Sequence, residues 1–128
     1  MSLEWIEHEG QRILFIDVSN LRDNYGMLLA KELASLVTLL KAEPKNSVLA
    51  VADLRNTNLN NNNIMALIRN APLAAPHFRK SALVIEPNPA RNIVFDTLGQ
   101  FVERLPKRFD NLEDAKAWLI RQEIKQPA

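Results

Sequence analysis

The sequence predicts one α/β domain, a mixed and mostly parallel sheet of about five strands with flanking helices. Three short apolar runs rich in β-branched residues are typical of buried strands: Arg12–Val18, Ser47–Leu54 and Ser81–Glu86. Segments with apolar residues at helical spacing alternate with these runs. The 128 residues suit a single domain. The predicted order is β-β-α-β-α-β-α-β-α, which implies parallel pairing through right-handed crossovers with only the first strand antiparallel.

The first part of the chain is predicted to be a hairpin followed by a long helix. Trp5–His8 is a short strand that turns at Glu9–Gln11 and pairs with Arg12–Val18. The helix covers Asp23–Lys41, and Pro44 ends the segment. Its sheet-facing stripe comprises Tyr25, Leu29, Leu33, Leu36, Val37 and Leu40. Three apolar residues lie off this stripe, where either a neighbouring element or a partner covers them: Met27, Leu28 and Leu39.

The middle of the chain combines a buried strand with an asparagine-rich stretch. The strand Ser47–Leu54 leads into this stretch, and a helix follows it. We expect Asn60 or Asn61 to be the N-cap of that helix. Pro72 and Pro76 are expected to break the helix up. Its inward residues are Ile64, Leu67, Ile68 and Ala71.

A third helix is predicted after the strand Ser81–Glu86. Asn88 followed by Pro89 is typical of an N-cap with proline at the first helical position. We expect this helix to run to about Arg104. Its buried stripe comprises Val94, Leu98, Phe101, Val102 and Leu105.

The last elements are a short strand and a final helix. The strand is predicted over Lys107–Asp110. Asp110 and Glu113 have the spacing of a capping box, which predicts the start of the helix. The chain after Gln122 is expected to be frayed. The helix buries Leu112, Ala115, Trp118 and Leu119.

The composition excludes several functional classes. The net charge of +1 lacks the basic surplus of a nucleic-acid-binding domain. The absence of cysteine rules out disulfides, thiolate nucleophiles and cysteine-ligated zinc. His8 and His77 have no metal-ligand spacing, and nothing predicts a cofactor. Without a secretory signal or an apolar stretch near the roughly 20 residues of a membrane span, we expect a cytoplasmic protein with no integral membrane segment.

Four stretches of the chain carry a family resemblance through their order. They are Ile13–Val18, Ser47–Thr57, Lys80–Ile85 and Phe109–Leu119. This order resembles the STAS-like family (SpoIIAA-like, STAS/SEC14) of small bacterial proteins. With the helices between them, the stretches span nearly the whole chain, and the resemblance implies one STAS-like domain over residues 1–128.

The resemblance also bears on regulation. In relatives that antagonise anti-sigma factors, a serine near the start of the helix after the Asp-Leu strand is phosphorylated, which switches partner binding. That serine would fall at Asn62 or Asn63, and neither can accept a phosphate. Thr57 is the nearest hydroxyl, but it lies several residues too early. The resemblance therefore implies the fold without the phosphoswitch.

Polar side chains follow the parallel strands and should gather at one edge of the sheet. Open α/β sheets bind ligands at this carboxyl edge, where helix N-termini favour anions and asparagine amides can donate and accept hydrogen bonds. Turns and N-caps use the same residue type, so a purely structural role is the alternative. The candidate ligand- or partner-binding residues are Asn56, Thr57, Asn58, Asn60, Asn61, Asn62, Asn88 and Asn92. The same edge should carry Ser19, Asn20, Asn63 and Asn111.

Two carboxylates are the only candidates for chemistry. Asp17 and Asp53 end strands that should be neighbours, and a close pair could bind a cation or share a proton. The alternative is that they cap turns or pair with Arg22 or Arg55. No arrangement of nucleophile, base and oxyanion site accompanies them, so we expect no catalytic residue and no enzyme.

The opposite edge of the sheet is predicted to be basic. Cations there complement the dipoles of helices that end at this edge. The alternative is contact with an acidic partner or an anionic lipid surface. The residues are Lys41, Lys45, Arg79, Lys80, Arg104, Lys107 and Arg108.

The leading functional hypothesis is a non-catalytic regulatory or protein-interaction module of unknown pathway, with an unknown protein partner or a second copy of itself. Such a module should expose an apolar patch and have no deep pocket. The alternative is a binding domain for a small apolar or lipid-like ligand. It should enclose roughly 300 Å³ or more between sheet and helices, around Met65, Leu73, Phe78 and Phe95. An enzyme should instead hold the two carboxylates in a cleft.

Overall fold

The computed structural model describes residues 2–22, 27–100 and 105–121 of the chain. The elements within these ranges follow the predicted order. They are β1 (Ser2–His8), β2 (Gln11–Asp17), α1 (Met27–Leu40), β3 (Val48–Asp53), α2 (Asn61–Ala74), a 3₁₀ turn (Ala75–His77), β4 (Phe78–Val84), α3 (Pro89–Leu98), β5 (Lys107–Phe109) and α4 (Leu112–Ile120).

The strands lie in one sheet in the same order as along the chain. β1 is antiparallel to β2, and every later pair is parallel. Glu9 and Gly10 connect the antiparallel pair with φ of 50° and 80°, the left-handed values that a two-residue hairpin turn requires. The predicted mixed sheet, with only its first strand antiparallel, is confirmed.

The helices are divided unequally between the two faces of the sheet. From β2 to β5 each crossover advances in one direction, so α1, α2 and α3 cover one face and α4 alone covers the other. Alternate residues of β3 belong to the two cores. The first core includes Leu14, Ile16, Leu29, Leu33, Leu36, Ala50, Leu54, Leu83, Phe95 and Leu98. The second is Ile13, Leu49, Val51, Ala82, Val84, Ala115 and Leu119.

This topology changes the expectation for the carboxyl edge. Doubly wound sheets open a crevice where the strand order reverses, and their ligands bind there. The order β1-β2-β3-β4-β5 has no reversal. The described sheet therefore has no such reversal at its carboxyl edge, and ligand binding by the asparagine-rich residues there stays a prediction.

Several predicted boundaries need correction. β1 begins at Ser2 rather than Trp5, because pairing with all of β2 extends it. Pro72 does not break α2, which continues to Ala74. It lies exposed near the helix end, where its missing N–H costs one hydrogen bond. The predicted capping box at Asp110 is wrong, because Asn111 is the N-cap of α4 and accepts from Asp114 N at 2.8 Å.

The third helix is shorter than predicted. α3 ends at Leu98, and Gly99 N closes its last turn on Phe95 O at 3.2 Å. Leu105 was expected to be buried but lies beyond the helix and is exposed. The expectations for Phe101, Val102 and Arg104 fall outside the described residues. So do those for Asp23, Tyr25 and the chain from Gln122 onward.

Candidate functional site

β2 and β3 end in the same four-residue turn, side by side at the carboxyl edge. The turns are residues 17–20 and 53–56, each with aspartate first and asparagine last. Asp17 Oδ1 accepts from Ser19 N at 3.0 Å, and Asp53 Oδ1 accepts from Arg55 N at the same distance. Both turns therefore have the same aspartate cap, a hydrogen-bond pattern that mimics a backbone turn.

The two asparagines that end these turns have left-handed backbone conformations. Asn20 has φ of 59° and Asn56 has φ of 57°, a region that asparagine tolerates better than most residues. Their side chains meet, since Asn56 Nδ2 donates to Asn20 Oδ1 at 2.8 Å. Arg22 also donates to Asn56 Oδ1. The amides thus join the two turns to each other.

The backbone hydrogen bonds between β2 and β3 continue through the turns at residues 17–20 and 53–56, here called the twin turns. Val18 N donates to Asp53 O at 3.0 Å, and Asn20 N donates to Arg55 O at 2.9 Å. Thr57, fully buried, donates its hydroxyl to Val18 O. The edge of the sheet is consequently a hydrogen-bonded extension of β2 and β3 rather than an open loop. Thr57 has no access to a kinase or a ligand.

Other asparagines at the carboxyl edge of the sheet are the N-caps of helices. Asn60 accepts from Asn63 N at 2.9 Å and caps α2, as predicted. Asn88 accepts from Ala90 N at 2.8 Å and caps α3. Asn63 is buried and donates to Asn58 O. These contacts are the ones that turn and cap chemistry requires.

Three candidate residues are exposed on helices. Asn61 and Asn62 are exposed in the first turn of α2. Asn92 is exposed on α3, and its Oδ1 accepts from Arg108 Nη1 at 3.1 Å. Of the eight predicted site residues, Asn56, Asn61, Asn62, Asn88 and Asn92 face solvent, while Thr57 does not.

An ion pair that sequence reasoning missed connects the turns to α3. Arg91 Nε lies 2.9 Å from Glu86 Oε2, and Arg91 Nη2 donates to Thr57 O at 2.8 Å. Glu86 in turn accepts from Asn56 N. Arg91 Nη1 is buried without a hydrogen-bond partner. The sequence signal was a carboxylate just after β4, at Glu86, and an arginine in the first turn of the next helix.

The two carboxylates are in register but are not directed at a common ligand. Asp17 and Asp53 are paired positions of β2 and β3. Asp17 accepts from Ser19 Oγ at 2.6 Å, while the buried Asp53 accepts from Arg55 Nε at 3.1 Å and Nη2 at 2.9 Å. The hydrogen bond to Asp53 raises the pKa of Arg55. These are the turn-capping and ion-pairing roles of the alternative interpretation.

Metal ligands are not grouped in this part of the molecule. Within residues 2–22, 27–100 and 105–121, no three His, Cys, Asp or Glu side chains are placed to hold a metal ion.

The predicted basic edge is used partly by the fold itself. Lys80 Nζ donates to the main-chain oxygens of Trp118 and Arg121, at 2.9 and 2.8 Å, at the end of α4. Arg108 pairs with Asp96 of α3. Lys41, Lys45, Arg79 and Lys107 are exposed, and Arg104 lies outside the described residues.

Apolar side chains are exposed on the helices. Met27 and Leu28 begin α1 with 73% and 47% exposure, whereas Leu39 packs against the first core. Met65 and Leu73 of α2 are also exposed. Of the three apolar residues predicted to lie off the core stripe of α1, Met27 and Leu28 at its start are therefore exposed, and Leu39 near its end is covered.

A partly open apolar cavity of about 140 Å³ lies between the sheet and helices α1, α2 and α3, on the side here called the first face. Phe78 and Phe95 line it as predicted, but Met65 and Leu73 do not.

None of the helices in the described ranges is long and apolar enough to cross a membrane. No family model, curated protein or solved structure matches the chain.

Proposed function

We propose that this chain is a non-catalytic regulatory domain of the STAS-like type that acts in the cytoplasm by binding a protein partner. The observation that carries the proposal is the exposure of large apolar side chains on α1 and α2, two helices that pack directly against each other. Exposed apolar groups that lie together are typical of interaction surfaces. By contrast, the polar groups of the carboxyl edge serve turns, caps and ion pairs.

The surface, here called the α1–α2 surface, is defined by Met27, Leu28, Met65 and Leu73. Met65 and Leu73 are two helical turns apart and so lie on one side of α2. Both helices start from the carboxyl edge because they follow parallel strands. Met27 and Leu28 are therefore near the same end of the layer as Met65.

The carboxylates support a binding role more than a chemical one. Asp53 already accepts from Nε and Nη2 of the Arg55 guanidinium, and Asp17 Oδ1 accepts two hydrogen bonds from Ser19. A general base needs a lone pair directed at substrate. Both oxygens of Asp53 are instead used by Arg55, and Oδ1 of Asp17 is used by its own turn.

The test is native mass spectrometry of the protein purified from the organism that makes it. We expect a hetero-complex or a homodimer, and we expect the double variant Met65→Gln/Leu73→Gln to lose it. Ile93→Gln is the matched control, because Ile93 is equally apolar and 66% exposed but lies on α3. A monomer without a partner, or equal loss in the control, would contradict the proposal.

A further inference from the structure

The cavity of the first face exists because small side chains face each other across it. Ala50 of β3 and Ser81 of β4 are paired positions in the sheet, and Ala52 follows Ala50 on the same face. Ala71 and Ala74 of α2 line the cavity from the helical side. At these positions neither the sheet nor α2 supplies a large side chain.

Larger apolar side chains form the walls. α1 contributes Leu29, Leu33 and Leu36, and α3 contributes Phe95 and Leu98. All five are buried members of the first core. Protein interiors are close-packed, and a space without protein atoms leaves its lining without van der Waals partners on that side. A volume of about 140 Å³ is larger than ordinary packing defects.

The lining restricts the chemistry of any occupant. No Asp, Glu, Lys, Arg or His from the described residues borders the cavity, and Asn70 and Ser81 supply its only polar side chains there. Asn70 Nδ2 donates to Ala66 O of its own helix at 2.8 Å. A phosphate or carboxylate inside would lose its hydration without a counter-charge, a large cost.

We propose that this cavity is a binding site for a small, uncharged apolar molecule of about six to nine non-hydrogen atoms, such as an aromatic ring. A dry apolar cavity of about 150 Å³ engineered in another protein binds benzene. The volume here is nearly the same and is about half of what drug-sized or lipid-like ligands need, roughly 300 Å³. This site is distinct from the α1–α2 surface, so either can exist without the other.

The test uses benzene as the probe and the thermal unfolding midpoint, Tm, as the first readout. At a benzene concentration ten times the dissociation constant, we expect Tm to rise by about 4–6 °C, because the ligand binds only the folded state. Myristate, whose chain exceeds the cavity, should leave Tm unchanged. A rise with myristate and none with benzene would overturn the proposal in favour of a lipid site.

The matched variants are Ala71→Leu, which places a larger side chain in the cavity, and Ala34→Leu, on the exposed side of α1. Ala71→Leu should abolish the benzene shift, and Ala34→Leu should retain it. Methyl NMR of the unmodified protein gives a reading that does not depend on how the variants fold. Intermolecular contacts from benzene to Leu33 and Leu36 are expected, and contacts only to surface methyl groups would overturn the assignment.

Discussion

Lys80 of β4 reaches the end of α4 and donates to Trp118 O at 2.9 Å, with its ammonium 4.7 Å from the centre of the Trp118 ring. α4 has no basic residue in its own last turn. A strand therefore supplies the cation that complements the carboxyl end of this helix. The contact also joins the last turn of α4 to the sheet, in addition to the packing of Ala115 and Leu119.

We expect Lys80→Met to lower the free energy of unfolding by about 1–2 kcal/mol, because it removes two hydrogen bonds to terminal carbonyls and a cation–π contact. Urea denaturation followed by circular dichroism measures the change. Lys45→Met is the control, since Lys45 is exposed before β3. Equal stability of the two variants would mean that Lys80 does not hold α4.

The twin turns give a prediction about backbone strain. Replacing Asn56 by Gly or Ala removes the same side-chain hydrogen bonds, but only alanine is strained at φ of 57°. We expect Asn56→Ala to be less stable than Asn56→Gly by about 1 kcal/mol, after the entropy of glycine in the unfolded chain offsets part of the strain. Chemical denaturation of both variants gives the difference. If alanine is the more stable, the left-handed conformation is not what selects asparagine here.

At the start of α2, two neighbouring asparagines have different roles: Asn60 is the N-cap, and Asn61 is the first residue of the helix. Asn60→Ala should cost about 1 kcal/mol, because it removes the acceptor of Asn63 N. Asn61→Ala should be neutral or slightly stabilising, because alanine is the better helix former at an exposed position. Thermal denaturation compares them directly. Should both substitutions prove neutral, the cap contact contributes nothing to stability.

The pair of Arg55 and Asp53 predicts a pH dependence. Asp53 raises the pKa of Arg55, so the contribution of the guanidinium is fully present below the ordinary arginine pKa and is lost only above the raised one. In Arg55→Lys the charge belongs to an ammonium with an ordinary pKa of about 10.4. We therefore expect the unfolding free energy of the variant to fall, relative to the original protein, as the pH rises above about 10.4.

Arg55→Met serves as the reference for that measurement, because it cannot titrate. The gap between Arg55→Met and the original protein should stay constant over the same pH interval. If the difference in unfolding free energy between Arg55→Lys and the original protein is also constant, the charge of residue 55 does not stabilise the fold through Asp53.

The sheet was predictable because buried parallel strands carry continuous apolar runs, which Arg12–Val18 and Ser47–Leu54 do. The caps at Asn60 and Asn88 were predictable because they depend on the residues just beside them. The cap at Asn111 was assigned one residue early, since Asp110 and Glu113 offered an equally good local pattern. Local patterns cannot decide between adjacent caps when both sets of polar residues are present.

The sequence predicts which residues lie at the carboxyl edge, but it does not predict their hydrogen-bond partners. Its residues gather where expected, yet which amide meets which backbone group depends on register, and Asn20 and Asn56 are distant in sequence. The same holds for Arg91 and Thr57 O, whose contact joins α3 to the residue after the second turn and is distant in sequence. The cavity was harder still, because it results from alanines in three separate elements whose alignment no single segment encodes.

The unequal division of helices has a consequence for synthesis on the ribosome. The first face of the sheet is covered stepwise, since each strand is followed by its own helix. The second face, with Ile13, Leu49, Val51 and Val84, stays bare until α4 emerges. A nascent chain that stops before Ile120 thus presents a sheet of aliphatic side chains to water, the kind of surface that recruits chaperones and seeds aggregation.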